Sequence, residues 1–110
     1  MSVRYKKRDR FANPLEYRSS LGYAWIVSSV RLSGVLFIAY PQDHMPRHVH
    51  AFAEETEVIV DLRKARTVAL ADRSDAIRPG NAKRSSVRHI LETAAEHFDE
   101  LVQLWEKMHE

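Results

Sequence analysis

Three of the chain's six histidines, His44, His48 and His50, lie within seven consecutive residues. Histidine is the side chain whose ordinary pKa falls in the physiological range, and neutral imidazole is the commonest metal ligand in proteins. One residue separates His48 from His50, so on a β-strand both side chains point to the same face of the sheet. The segment 43–50 is therefore the candidate site.

Three kinds of chemistry are compatible with this histidine cluster. In the first, His48 and His50 join His44 or Asp61 as ligands of a divalent metal such as zinc, with one coordination position open for catalysis. In the second, His48 or His50 acts as a general acid or base without metal, and Arg47 or a neighbouring arginine stabilises an anion as phosphodiester cleavage requires. In the third, the histidines occupy a partly exposed sheet face or line a protein interface.

The pairing of two strands decides which residue supports the histidines. If residues 48–52 and 57–62 form a hairpin with a turn of even length, His48 lies directly opposite Asp61, whereas a turn of odd length puts Asp61 on the other face. Opposed Cβ atoms are about 5 Å apart, so Asp61 can orient one tautomer of His48 and raise its pKa. The sequence therefore predicts catalytic residues His48, His50 and Asp61, substrate contacts Arg47 and His44, and, if a metal is bound, the ligands His44, His48 and His50.

The elements that must position these residues are predicted to form an α+β domain. Apolar or alternating runs predict strands at residues 24–32, 35–40, 48–52, 57–62 and 67–71, with the first two joined by a Ser33–Gly34 turn. Residues 82–110 carry apolar side chains at three- and four-residue spacing, which predicts one long amphipathic helix with room for a break near Phe98. We expect an antiparallel sheet of about four to five strands packed on a long C-terminal amphipathic helix, with the histidines on the sheet face that points away from it. A short helix at residues 15–22, and a cap for the long helix at Asn81 or Ser85, are also predicted.

Composition narrows the class of protein. The chain has 110 residues, no cysteine and a formal net charge of +2, which suits one domain without disulfides or thiolate metal sites. We expect a cytoplasmic protein without a membrane span. Residues 1–27 are predicted to be a basic, partly ordered N-terminal extension, and residues 28–110 a single α+β domain. The basic residues near the N-terminus suit a solvated tail, a contact with nucleic acid, or attraction to the acidic C-terminal helix, within the chain or in a homodimer.

The order of these elements resembles that of a known family. A hydrophobic hairpin is followed by the pattern His-x-Pro-x-His-x-His at residues 44–50, an acidic strand at residues 57–62 and a terminal helix that contains Trp105. Over residues 28–108 this is similar to the small bacterial proteins of domain-of-unknown-function family 4160. By motif match, His44, His48 and His50 fall on that family's characteristic positions, whereas Arg47 stands where a second proline is frequent.

The resemblance implies a context rather than a reaction. Members are commonly encoded beside a second small family, and the pair is suspected of being a toxin–antitoxin-like module. The resemblance thus implies a toxin-like protein that acts on RNA or nucleotides through its histidines, beside a small cognate protein partner. The alternatives are a non-catalytic partner-binding or regulatory module and a metal-dependent hydrolase.

Overall fold

A computed structural model describes residues 15–18 and 24–109, with side chains from Val27 onward. In chain order the strands are β1 (Leu15–Arg18), β2 (Ala24–Leu32), β3 (Val35–Ala39), β4 (His48–Ala53), β5 (Thr56–Arg63), β6 (Thr67–Leu70) and β7 (Ile77–Arg78), and the helices are α1 (Arg84–Glu96) and α2 (Phe98–Met108). The predicted α+β class is confirmed. The basic residues 1–10, which carry the predicted nucleic-acid contact, lie outside the described residues.

The antiparallel sheet runs β1-β2-β3-β4-β5-β6, and two of the described connections are two-residue turns. Ser33 and Gly34 both have positive φ angles and connect β2 to β3, as predicted. A two-residue turn with Glu54 at positive φ connects β4 to β5, so Ala53 pairs with Thr56. The even length of this turn sets the predicted register, in which His48 lies opposite Asp61.

The edge of the sheet beside β5 is interrupted. Both β6 and β7 pair with β5, and residues 71–76 leave the sheet between them. Ile59 holds both ends of this excursion, because its N–H donates to the carbonyl of Ala76 and its carbonyl accepts from the N–H of Ala71. Ala71 and Ala76 bury the Ile59 side chain. This covering segment explains why β5 is buried on both faces, with Ile59 and Asp61 less than a tenth exposed.

The helices cover the other face of the sheet. α1 lies chiefly over β5 and β6, and α2 chiefly over β2 and β3. The predicted packing of the apolar faces of β4 and β5 against the helices is confirmed, and the core also includes β3 and the buried helix residues Ile90, Ala94, Phe98, Leu101, Leu104 and Trp105. No helix in residues 84–108 is long and apolar enough to cross a membrane.

Three local predictions are corrected. The long helix is two helices, because the backbone of His97 leaves helical geometry at φ −113° and ψ 32°. The residue that precedes α1 is Lys83, with no side-chain cap, so neither Asn81 nor Ser85 caps it. Residues 15–18 form a strand instead of part of a helix, because they pair with residues 24–27 of β2 and gain a hydrogen-bonded neighbour that an isolated short helix lacks. The sheet thus begins inside the segment that was predicted as the N-terminal extension.

Candidate metal centre

Three side-chain atoms converge on the sheet face that points away from the helices. Oδ2 of Asp43 lies 3.4 Å from Nε2 of His48 and 3.3 Å from Nε2 of His50. The three atoms all lie within 4.8 Å of one another. Each atom is buried and none has a hydrogen-bond partner, since the close contacts do not have hydrogen-bond geometry. Buried polar atoms are usually satisfied, so three acceptors that converge on a single point are suited to bind a cation or to share a proton.

Strand geometry and one loop position these side chains. The alternation of β4 places His48 and His50 on the outer face, while Val49 and Ala51 enter the core. The loop at residues 40–47 then folds back over that face and brings in Asp43, whose N–H donates to the carbonyl of Tyr40 at 3.2 Å. The Tyr40 ring contacts His50 edge-on, with centroids 4.9 Å apart.

Each imidazole is oriented by a bond on its far side. Nδ1 of His48 donates to the carbonyl of Pro46 at 2.9 Å, and Nδ1 of His50 donates to Oε2 of Glu57 at 3.4 Å. Glu57 is itself held by Arg78, whose Nη2 donates to Oε1 at 2.8 Å. Because carbonyl and carboxylate oxygens only accept, both Nδ1 atoms carry the proton. The neutral rings therefore direct the lone pairs of both Nε2 atoms towards Asp43. Metal-binding histidines characteristically have such partners behind them.

A proton on an Nε2 atom turns its contact with Asp43 into an attractive one, and the electrostatics of the cluster reflect this protonated form. Burial raises the pKa of Asp43, but the two imidazoles that face its carboxylate outweigh burial and hold that pKa well below its ordinary value. The carboxylate of Asp43 in turn raises the pKa of His48 against the opposing effect of burial, with smaller contributions from the Pro46 carbonyl and Asp61. In the absence of metal, a proton shared between Asp43 and His48 thus relieves the contact between acceptors.

The spacing of the three atoms suits zinc. Zinc binds imidazole nitrogen at about 2.0–2.1 Å and carboxylate oxygen at about 2.0–2.2 Å, so neighbouring ligand atoms of a tetrahedral site are about 3.3–3.4 Å apart. The two distances from Asp43 match this spacing. At the widest separation of the two Nε2 atoms, the point equidistant from all three ligand atoms is about 2.4 Å from each, so shifts of a few tenths of an ångström complete the site.

The cluster borders an open cleft of about 320 Å³. Its walls are the loop that carries Asp43 and the excursion at residues 71–76, and its floor is formed by His48, Ile59 and Asp61. Three carboxylates line the cleft, those of Asp43, Asp61 and Asp72. Its one arginine, Arg73, is paired with Asp75 through two hydrogen bonds of 2.8 Å. The negative charge of this lining favours a cation over a bare anionic substrate.

The predicted site residues do not all belong to the three-atom cluster. Asp61 lies opposite His48 and on the cleft floor, but its carboxylate contacts Arg63 at 3.3 Å and forms no hydrogen bond with His48. The tautomer of His48 is therefore set by Pro46, and the acid that its Nε2 faces is Asp43. His44 is exposed at the cleft and outside the three-atom cluster, so Asp43 takes the place of His44 in the metal-binding group. Arg47 is half-buried, does not line this cleft, and its carbonyl accepts from Leu62 at 2.9 Å.

Asp43 is the residue that sequence reasoning missed. It stands at the start of the histidine segment, one residue before His44. Its presence in a histidine-rich stretch is the available signal, but a loop has no periodicity from which the direction of a side chain can be predicted.

One family model matches most of the chain. The model described as a domain of unknown function (DUF4160) matches residues 34–106, which include all three members of the cluster. The chain therefore belongs to that family, as the sequence pattern predicted. Neither the curated proteins nor the solved structures yielded a match to the chain.

Proposed function

We propose that the protein is a hydrolase that depends on one divalent metal ion and cleaves a phosphate ester in RNA or in a nucleotide. The observation that carries this proposal is the convergence of three buried, unsatisfied acceptor atoms from Asp43, His48 and His50 beside an open cleft. Three protein ligands with a further position open to solvent are typical of catalytic zinc sites, whereas structural sites use four.

The residues that line the cleft support specific roles in this proposed reaction. When bound, a divalent ion supplies a Lewis acid that polarises a substrate oxygen and promotes the ionisation of water. Asp61, buried on the cleft floor, accepts the proton of the attacking water as a general base. His44, exposed at the cleft, contributes a donor to a phosphate oxygen.

Metal dependence fits this cleft better than metal-free acid–base cleavage. A metal-free mechanism requires a phosphate to approach Asp43, Asp61 and Asp72 while Arg73 is occupied by Asp75. A divalent ion offsets two of these negative charges and provides the attraction that the lining lacks.

Elemental analysis of protein purified without a histidine tag tests the metal centre directly. We expect one equivalent of a divalent metal, and its loss in His50→Gln, which removes one ligand. His89→Gln is the matched control, because His89 is exposed and bonds the carbonyl of Ser33 far from the cluster. Metal-free wild-type protein that also fails to take up added zinc contradicts the proposal.

The cellular part of the proposal is that this hydrolysis is toxic. Expression of the protein alone should arrest growth and reduce intact RNA or nucleotide pools, and Asp61→Asn should relieve the arrest while metal content is unchanged. If Asp61→Asn remains equally toxic, the assignment of Asp61 as the base is wrong.

A second candidate function is a non-catalytic module that binds a small cognate protein. Among the described side chains, the large hydrophobic residues that are exposed are Met45, at 74%, and Leu70, at 36%. Met45 lines the cleft, and Leu70 precedes Ala71 on its opposite wall. Met45→Ser should then weaken partner binding measured by calorimetry and leave RNA intact. A partner that binds with unchanged affinity after Met45→Ser argues against this use of the surface.

A further inference from the structure

The end of helix α2 holds the loop that carries Asp43. His109, the residue after α2, places its Nε2 2.8 Å from the backbone carbonyl of Asp43. Its other ring nitrogen, Nδ1, lies 2.8 Å from the carbonyl of Trp105. Because carbonyl oxygens only accept, the bond to Asp43 requires a proton on Nε2, and the contact with Trp105 is a hydrogen bond only when Nδ1 is protonated as well. The bond spans 66 positions of the chain and ties a loop to the helical layer.

Trp105 connects the same helix end to a second member of the cluster. The His109 ring stacks on Trp105 with a centroid distance of 3.6 Å and an interplanar angle of 17°. Trp105 also contacts the ring of His48, with centroids 5.4 Å apart. Trp105 is 4% exposed, so the core fixes its position. The ring contacts of Trp105 with His48 and with His109 thus connect the cluster to helix α2.

The Asp43 backbone is therefore held at both of its polar groups. Its N–H donates to Tyr40 and its carbonyl accepts from His109. A loop residue without these bonds samples several conformations, and metal binding then has to order it. Preorganisation removes that cost from binding, so the affinity of the centre depends on the bond to His109.

We infer that His109 is a positioning residue of the metal centre, which fixes the ligand Asp43 to the end of α2 and thereby sets metal affinity. This inference rests on the proposed function, because it concerns the same three ligands. It adds a residue outside the segment 34–106 that the family model matches.

Two variants of His109 separate the hydrogen bond from the ring stack. His109→Phe keeps an aromatic ring on Trp105 but has no donor, and His109→Gln supplies an amide donor near the position of Nε2. His89→Phe is the matched control: it removes another bond between a histidine Nε2 and a backbone carbonyl, 3.0 Å long, that joins α1 to the turn at Ser33. The three variants should have similar thermal midpoints without metal.

Zinc affinity, measured by competition with a chromophoric chelator, is the deciding readout. We expect His109→Phe to weaken zinc binding about tenfold or more, as loss of an outer hydrogen bond typically does at metal centres. His109→Gln should recover most of that loss, and His89→Phe should bind as wild type. The visible spectrum of the cobalt form should also change in His109→Phe alone. In metal-free His109→Phe, the Asp43 amide should exchange with solvent faster than in wild type.

The possible failures are distinguishable. If wild-type protein binds neither zinc nor cobalt, the metal centre itself is wrong, and the inference about His109 falls with it. If wild-type protein binds zinc and His109→Phe binds it equally tightly, His109 has no positioning role and the proposed function stands.

Discussion

Replacing Asp43 with asparagine distinguishes a metal ligand from an ordinary buried polar residue. Asp43→Asn keeps the shape of the side chain but replaces one carboxylate oxygen by an amide nitrogen, which donates. That position is 3.4 Å from Nε2 of His48 and 3.3 Å from Nε2 of His50. Because both Nε2 atoms accept when the rings are neutral, the amide satisfies acceptors that the carboxylate leaves unsatisfied.

Asp43→Asn is therefore expected to be more stable than wild type without metal and less stable than wild type with zinc. At a pH above the folded-state pKa of His48, which is raised from its ordinary value of 6.5, the metal-free variant should be more stable than wild type by about 0.5–1.5 kcal/mol, the net value of one hydrogen bond. This corresponds to a rise in thermal midpoint of about 4 °C per kcal/mol for a small domain. Zinc at about 100 times its Kd stabilises wild type by about 2.7 kcal/mol, and the variant should lose most of this increment because a neutral amide oxygen is a weak zinc ligand.

Thermal unfolding with chelator and with added zinc measures both values on the same samples. The order of stability should reverse, with Asp43→Asn above wild type in chelator and below it in zinc. An Asp43→Asn variant that is destabilised in chelator at this pH, or that keeps the full zinc increment, refutes the convergence of acceptors as the basis of the centre.

The remaining predictions concern pH dependence and the scaffold. In chelator, the pKa of His48 is raised on folding, so its contribution to stability is complete below pH 6.5 and is lost as the pH rises through its folded-state pKa. The pKa of Asp43 is lowered, so its contribution is present above 3.8 and is lost as the pH falls through its folded-state pKa. Urea titrations should therefore place maximum metal-free stability between pH 3.8 and pH 6.5. A flat profile of stability against pH contradicts the pairing of Asp43 with His48. Phe37→Ala, at a fully buried core position, should lower the free energy of unfolding by about 3–5 kcal/mol in urea, and a loss below about 1 kcal/mol argues against this core. Gly34→Ala should cost about 1 kcal/mol by the same measurement, because φ is +79° there although no atom lies within 4 Å of the added Cβ; a neutral effect contradicts this turn geometry.

Much of the sheet could be predicted because its information is local. Alternation identified β4 and β5, and a two-residue turn determined that His48 lies opposite Asp61. The same locality limited the prediction. Opposite positions in a ladder need not form a hydrogen bond, and Asp61 contacts Arg63 instead of His48. The break at His97 could be predicted only as an option near Phe98, because the apolar spacing continues across it from Ala94 to Phe98 and Leu101.

The sequence by itself determined the fold class, the strand face shared by His48 and His50, and membership of the family. These depend on a period of two, on apolar spacing and on a motif, all of which lie within short segments of chain. Only the tertiary structure decided that Asp43 is the acid of the centre. Its position depends on a loop that folds back over β4 and on a hydrogen bond to His109 at the far end of the chain. A contact between residues 66 positions apart, made by a loop and a helix end, has no local pattern from which it can be predicted.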